Sequence, residues 1–392
     1  MKKFLSIIII CLSIISCSKD NVALELKEYS FDETNSQLMF QDGTAQSVMT
    51  SLDDRTYEIK NVIRVRAMDP FTIEIANFAP TAFENVIILV NIKGVNSQLK
   101  LFKINKIDGH AIQQIKYSFI DGEANFKTLN NNDVIDLSEY KESGIPTEDI
   151  KFSFMGDGEV FKKLKRLDAL SWEIKYHDYD TNNDLNNNWE EDISAKDIRR
   201  FSGLIINLGY VFTSNEFKQQ FLDEEIIDND GETILTQVEK EVLYQKLLDK
   251  TLFKCGKVVN FSGWGGWGTV NGNEYSILGF AEHILKDYLK IETGFITAHE
   301  FGHCLGYNHS SNMTYPIKVN GVNTGISPVT SRIMNLFFER NEFPISIDNY
   351  YMPDDLIRDS STSKTVNNSD RGACQDHVYH LPEVKRIQNR LR

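Results

Sequence analysis

Between positions 299 and 309 the chain reads His299-Glu300-Phe301-Gly302-His303-Cys304-Leu305-Gly306-Tyr307-Asn308-His309, three imidazoles and one carboxylate in close succession. Residues four apart on a helix differ by about 40° in rotation and lie about 6 Å apart along the axis. His299 and His303 therefore project from one face and can share a single ion. Glu300 leans beside that ion without serving as a ligand, which suits a general base. Gly306 adopts φ > 0 without steric cost, so it can end the helix and return His309 as a third ligand. Three neutral imidazoles leave the fourth position of a tetrahedral Zn²⁺ to water, as in catalytic zinc and unlike a closed structural site. Chance produces the whole pattern in a chain this long with a probability of the order of 10⁻⁵, so coincidence does not compete.

These residues resemble the zinc signature of the metzincin clan of metalloendopeptidases. The segment His309-Ser310-Ser311-Asn312-Met313-Thr314-Tyr315-Pro316 is similar to the one that carries the clan's Met-turn. Met313-x-Tyr315 matches the Met-x-Tyr of the astacin and serralysin branches, and Ser-Ser followed by Met and Tyr-Pro also resembles matrixins. With the leader described below, the chain resembles the zinc metalloproteinase lipoproteins of Gram-negative bacteria. The specific likeness covers residues 292–316. It implies one catalytic Zn²⁺ on His299, His303 and His309, Glu300 as general base, and a protein or peptide substrate. It also implies that Tyr315 lies near the zinc, where it can hydrogen-bond a developing oxyanion. Met313 follows the third histidine by four residues, a shorter interval than is usual in the clan. Met334 is therefore a second candidate for the hydrophobic floor beneath the ion; Met313 is preferred because the tyrosine and proline come with it.

The elements that must position this site lie in a mixed second half. Ile150 to Phe154 reads as a strand, Glu159 to Leu170 as a helix, Trp172 to Tyr176 as a strand and Cys255 to Phe261 as another. Ser194-Ala195-Lys196-Asp197 has the form of a variant capping box. It opens a helix with Ile198, Phe201, Ile205 and Leu208 on one face. Further helices are expected from Ser214 and over Gln237 to Lys250. Gly263-Trp264-Gly265-Gly266-Trp267-Gly268 lacks the Lys-Ser/Thr of a phosphate loop. It stands where metzincins place the edge strand roofing the cleft; an ordinary glycine-rich hairpin is the alternative.

Residues 21–140 alternate apolar and polar positions, as in Phe71-Thr72-Ile73-Glu74-Ile75 and Leu99-Lys100-Leu101-Phe102-Lys103-Ile104, with Asp-Gly turns between the runs. A β-sandwich is expected there. His110, beside a turn, is expected to be solvated. The polar stretch from Asn130 to Pro146 marks the boundary. The expected fold is thus an α+β metzincin-like catalytic domain (146–392) preceded by an all-β sandwich domain (17–145) and a signal peptide (1–16).

Other polar clusters carry weaker chemistry. Counting from Asp180, oxygen donors at Asn182, Asp184, Asn186, Asn188 and Glu191 follow EF-hand spacing, but Leu185 stands where the loop needs glycine. Ca²⁺ near Asp180–Glu191 is therefore the alternative to a solvated loop. His377 and His380 are expected to be a solvated pair. Cys11 falls in the leader and Cys17 is the candidate for acylation, so Cys255, Cys304 and Cys374 remain, enough for one disulfide at most. Cys304 is expected to be a small buried residue, bridged or free, and not a ligand.

Met1-Lys2-Lys3 and the short apolar run to Ser16 read as a secretory signal. Ile14-Ile15-Ser16-Cys17 resembles a lipobox, which implies an acylated Cys17 and a membrane anchor. Ser18 after the cysteine implies the outer membrane, and Ser18-Lys19-Asp20 resembles a surface-export tag. The 392 residues carry 42 Lys and Arg against 56 Asp and Glu; removing the leader takes two lysines and no acid and leaves a net charge of −16. Such a balance excludes nucleic acid as a partner, because phosphates require a basic footprint. The expected function is extracytoplasmic peptide-bond hydrolysis. Alternatives are a surface binding or adhesion lipoprotein working through its β-sandwich, and a zinc hydrolase of a non-protein amide.

Overall fold

The computed structural model describes residues 26–31, 37–43, 56–131, 133–176, 189–190, 192–250, 252–258, 265–271, 275–289 and 291–356. Cys17 and the leader, most of the candidate Ca²⁺ loop, Gly263, Trp264, Cys374, His377 and His380 lie outside them. Among the described residues no helix is long and apolar enough to cross a membrane.

The alternating segments of the first half form two four-stranded sheets. One has the order β1 (Glu28–Phe31), β7 (Leu99–Ile107), β6 (Phe83–Ile92), β11 (Ile150–Met155). The other runs β2 (Gln37–Leu38), β8 (Ala111–Lys116), β5 (Thr72–Asn77), β4 (Ile63–Ala67). Leu99, Leu101, Phe102 and Ile104 are buried and Lys100 and Lys103 partly exposed, the alternation changing phase at Leu101, where the pairing with β6 slips by one residue between Ile88 and Leu89. Contacts of β11 with β4 and of β1 with β8 bring the two sheets together over a shared core. A hairpin of β9 (Asn125–Lys127) and β10 (Val134–Asp136) follows. Strand β11 pairs with β6 from Ile150↔Ile92 to Met155↔Ile87, so the chain re-enters the first sheet beyond the polar stretch read as a boundary.

A five-stranded sheet, in the order β14 (Gly266–Asn271), β15 (Tyr275–Ala281), β13 (Leu252–Val258), β12 (Glu173–Tyr176), β3 (Tyr57–Glu58), organises the second half. Its three inner strands are parallel and its outer two antiparallel to their neighbours. Strand β15 is buried from Ser276 to Ala281, consistent with a parallel strand covered on both faces. Strand β3 comes from the first half, with Tyr57 opposite Ile174. The Tyr57 ring stacks on Phe78 at 4.5 Å. The two halves thus share a sheet and one continuous apolar core.

Among the described residues, the helices of five or more residues are α1 (Glu159–Leu164), α2 (Ala195–Phe212), α3 (Asn215–Asp223), α4 (Gln237–Leu248), α5 (Glu282–Lys286), α6 (Ile291–Cys304) and α7 (Ile326–Glu339). Side-chain caps start three of them, Ser194 for α2, Ser214 for α3, and Thr236 with Glu239 in a reciprocal box for α4. Helix α2 is buried nearly all round, as befits a helix enclosed by other elements. It carries Arg199 and Arg200 inward. Arg199 donates to Asp355 at 2.7 and 2.8 Å, to the Phe40 carbonyl at 2.6 Å and to Asp42 at 3.1 Å. Arg200 donates to the Asp355 carbonyl at 2.6 Å and to Asp197 at 3.4 Å.

His110 departs from expectation: it is 2% exposed, not solvated. Its left-handed backbone (φ 58°) turns the ring inward, edge-on to Phe40 at 5.3 Å. Burial, reinforced by the Arg199 charge, pushes its pKa down to about 3, so it is neutral. Cys255 and Cys304 are buried free thiols, so no bridge joins them.

Candidate metal centre

Helix α6 carries two faces with different tasks. Phe301 points into an aromatic cluster, its ring 4.9 Å from Trp172, 5.1 Å from Phe212 and 5.1 Å from Phe253. That anchor fixes the rotation of the helix. On another face Gly294 and Gly302 allow neighbouring segments to approach. A Cβ on Gly302 would run into the Met313 carbonyl, and one on Gly294 into the Met334 sulfur. The Met313 backbone therefore crosses directly against the turn that carries His299 and His303, whereas Met334 packs at Gly294, five residues before His299.

The helix ends as its glycine requires. The Gly306 N–H donates to the His303 carbonyl at 2.9 Å and the Tyr307 N–H to the Gly302 carbonyl at 3.1 Å, with Gly306 at φ 94°. This pair of bonds is a Schellman motif, and it reverses the chain so that His309 returns to the helix. His299, His303 and His309 come together with their candidate ligand atoms all within 4.8 Å of one another. They are the one such cluster of His, Cys, Asp and Glu among the described residues. Ligand nitrogens of a tetrahedral zinc sit about 3.3 Å apart, given Zn–N of about 2.0–2.1 Å. The Nε2 atoms of His303 and His309 are 3.0 Å apart, close to that spacing, and the widest pair lies further apart.

The donor chemistry fits a cation. His303 Nδ1 lies 2.7 Å from the Tyr307 carbonyl, which can only accept, so Nδ1 carries the proton and Nε2 presents a bare lone pair. His299 has its pKa pushed down to about 3, chiefly by burial and then by the other two imidazoles. Burial lowers those of His303 and His309 as well. All three are therefore neutral at neutral pH, the state in which imidazole binds metal.

Glu300 is buried, with Oε1 4.0 Å from His299 Nε2. Burial raises its pKa to about 8, opposed by a hydrogen bond from the Gly268 backbone. A dication against the three nitrogens would act in the same direction as that hydrogen bond and favour the carboxylate. The glycines of β14 serve this contact. A Cβ on Gly268 would collide with the Glu300 backbone and one on Gly266 with its side chain, so the edge strand can lie against α6 only without them. Trp267 and Tyr275 pack against the cluster of Trp189, Val258 and Ile277. The Tyr315 ring stands 4.4 Å from His299 and 4.7 Å from His309, centre to centre.

Sequence reading missed the partners of the His309 loop, above all Asn229 and Asn312. Asp228-Asn229-Asp230-Gly231 does signal a tight turn, but nothing local says what that turn docks against. Comparison with protein-family models, curated proteins and solved structures finds no match for this chain.

Proposed function

We propose that the protein is a zinc-dependent endopeptidase of metzincin type that hydrolyses protein or peptide substrates outside the cytoplasm. The observation that carries this reading is the convergence of three neutral imidazoles beside one buried carboxylate. His299, His303 and His309 would hold the ion, which supplies Lewis acidity for activating water and polarising a carbonyl. Glu300, hydrogen-bonded by the Gly268 backbone, takes a proton from the attacking water and delivers it to the leaving amine. Tyr315, its ring against two of the imidazoles, would donate a hydrogen bond to the carbonyl oxygen as negative charge grows on it. Strand β14 ends the five-stranded sheet next to α6, where an extended peptide can align along its outer edge.

The lipobox-like Ile14–Cys17 supports an envelope location, with acyl chains on Cys17 as the anchor. Hydrolysis of a diverse peptide library by the purified chain, with and without a chelator, tests the enzymatic reading. Cleavage should disappear with the chelator and return with added Zn²⁺; cleavage indifferent to both would sink it.

A further inference from the structure

His309 is the least buried of the three candidate ligands, and it sits on an exposed loop flanked by Asn308 and Ser310. A helix fixes His299 and His303; no regular element fixes His309. What holds its loop is a hairpin that belongs to neither the helix nor the sheet. Residues 226–235 fold back through the bridge Ile227↔Ile234, closed by Asp228 N–H to the Thr233 carbonyl at 2.8 Å. Asp230 rigidifies the tip by accepting from the Glu232 and Thr233 backbones at 2.9 and 2.8 Å.

That hairpin grips the loop on both sides of its bend. Asn229 Oδ1 accepts from the Asn308 N–H at 2.8 Å, while Asn229 Nδ2 donates to the Gly306 carbonyl at 3.1 Å. Asn308 Nδ2 returns a bond to the Asn229 carbonyl at 3.4 Å. Beyond His309, Ser311 Oγ donates to the Ile227 carbonyl at 2.6 Å, and the Ile227 N–H donates to Asn312 Oδ1 at 2.7 Å. Asn312 Nδ2 in turn donates to the Glu225 carbonyl at 2.7 Å and to Thr324 Oγ1 at 2.9 Å. The loop is thus pinned immediately before and after its histidine to one independent support.

We infer that the 226–235 hairpin is the positioning device for the third metal ligand, with Asn229 as the positioning residue that sets how tightly the ion is held. The inference rests on the zinc reading of the three histidines. The hydrogen bonds of Asn229 go to Gly306 and Asn308, so it acts through the backbone on which His309 is mounted. Because it is half-buried at a hairpin tip, Asn229→Ala leaves the core untouched, whereas the buried Asn312 is too deeply set for a clean test.

Zn²⁺ affinity and the visible spectrum of the Co²⁺-substituted full chain separate positioning from mere stability. Asn229→Ala should weaken Zn²⁺ binding about tenfold, the lower end for losing an outer partner of a ligand. It should also dim the tetrahedral Co²⁺ bands while leaving metal-free unfolding unchanged. Asn229→Asp keeps the acceptor for Asn308 and should fall between wild type and alanine. In a His309→Ala background the same substitution should cost nothing further, because its route to the metal is already gone. Wild-type affinity in Asn229→Ala, or an equal additional loss in the His309→Ala background, would overturn the inference. A wild-type chain that takes up no metal would instead overturn the zinc reading beneath it.

Discussion

Two buried polar clusters of this molecule solve the same electrostatic difficulty in opposite ways. Around α2, charge is met by charge: Arg199 lies in a fork with Asp355 and reaches Asp42, and Arg200 meets Asp197, which also accepts from Lys257 at 3.2 Å. Those contacts tie the Phe40–Asp42 segment and the turn Pro353–Leu356 to one helix. Around α6, burial pushes the imidazole of His299 towards its neutral form, and it does the same to the Glu300 carboxyl 4.0 Å away. A structural cluster completes itself within the chain. The second instead keeps its groups neutral side by side, which is what the proposed metal site would require.

The comparison can be broken at either cluster. His303→Ala should have the largest effect, abolishing both metal content and cleavage while metal-free thermal unfolding stays close to wild type. Glu300→Gln should retain the metal but lower kcat by about 10²–10⁴-fold, the range for a lost general base. Equal losses of metal in both variants would erase the distinction between ligand and base. At the other cluster, Asp355→Ala strands a buried guanidinium and should cost about 3–5 kcal/mol in denaturant unfolding, with no ligand lost from the metal centre.

His110 sharpens the contrast, since it is a buried imidazole close to the paired cluster. Its pKa lies below that of an unfolded histidine, so the unfolded chain takes up the proton first. The stability it contributes is complete above about pH 6.5 and is lost as pH falls from there towards about 3. His110→Gln should therefore flatten the acid limb of metal-free stability by an amount of the order of a few kcal/mol, seen in chemical denaturation across that window. The smallest effect is expected at the α2 cap, where Ser194→Ala should cost about 1 kcal/mol.

What the sequence displayed clearly was whatever is encoded within a few residues. Ser194 and Ser214 each announce a helix start, and each caps one. The His299–His309 spacing and Gly306 dictate the reversal that gathers the three imidazoles. Long-range pairing left no such mark. Tyr57–Glu58 reads as an ordinary sandwich strand, yet it completes the sheet of the second half. Ile150–Met155 reads as the start of that half, yet it pairs with β6. His110 looked solvated because turn residues usually are; its left-handed backbone, which buries the ring, has no local signature. Gly266 and Gly268 read as part of a cleft-edge strand or glycine-rich hairpin, while the close packing on Glu300 that requires them has no local mark.

Elemental analysis of the purified full-length chain tests the central claim most directly. One zinc per chain is expected in wild type, retained in Glu300→Gln and absent in His303→Ala. Correctly folded wild-type protein with no stoichiometric metal, or zinc that persists after His303 is removed, would contradict it.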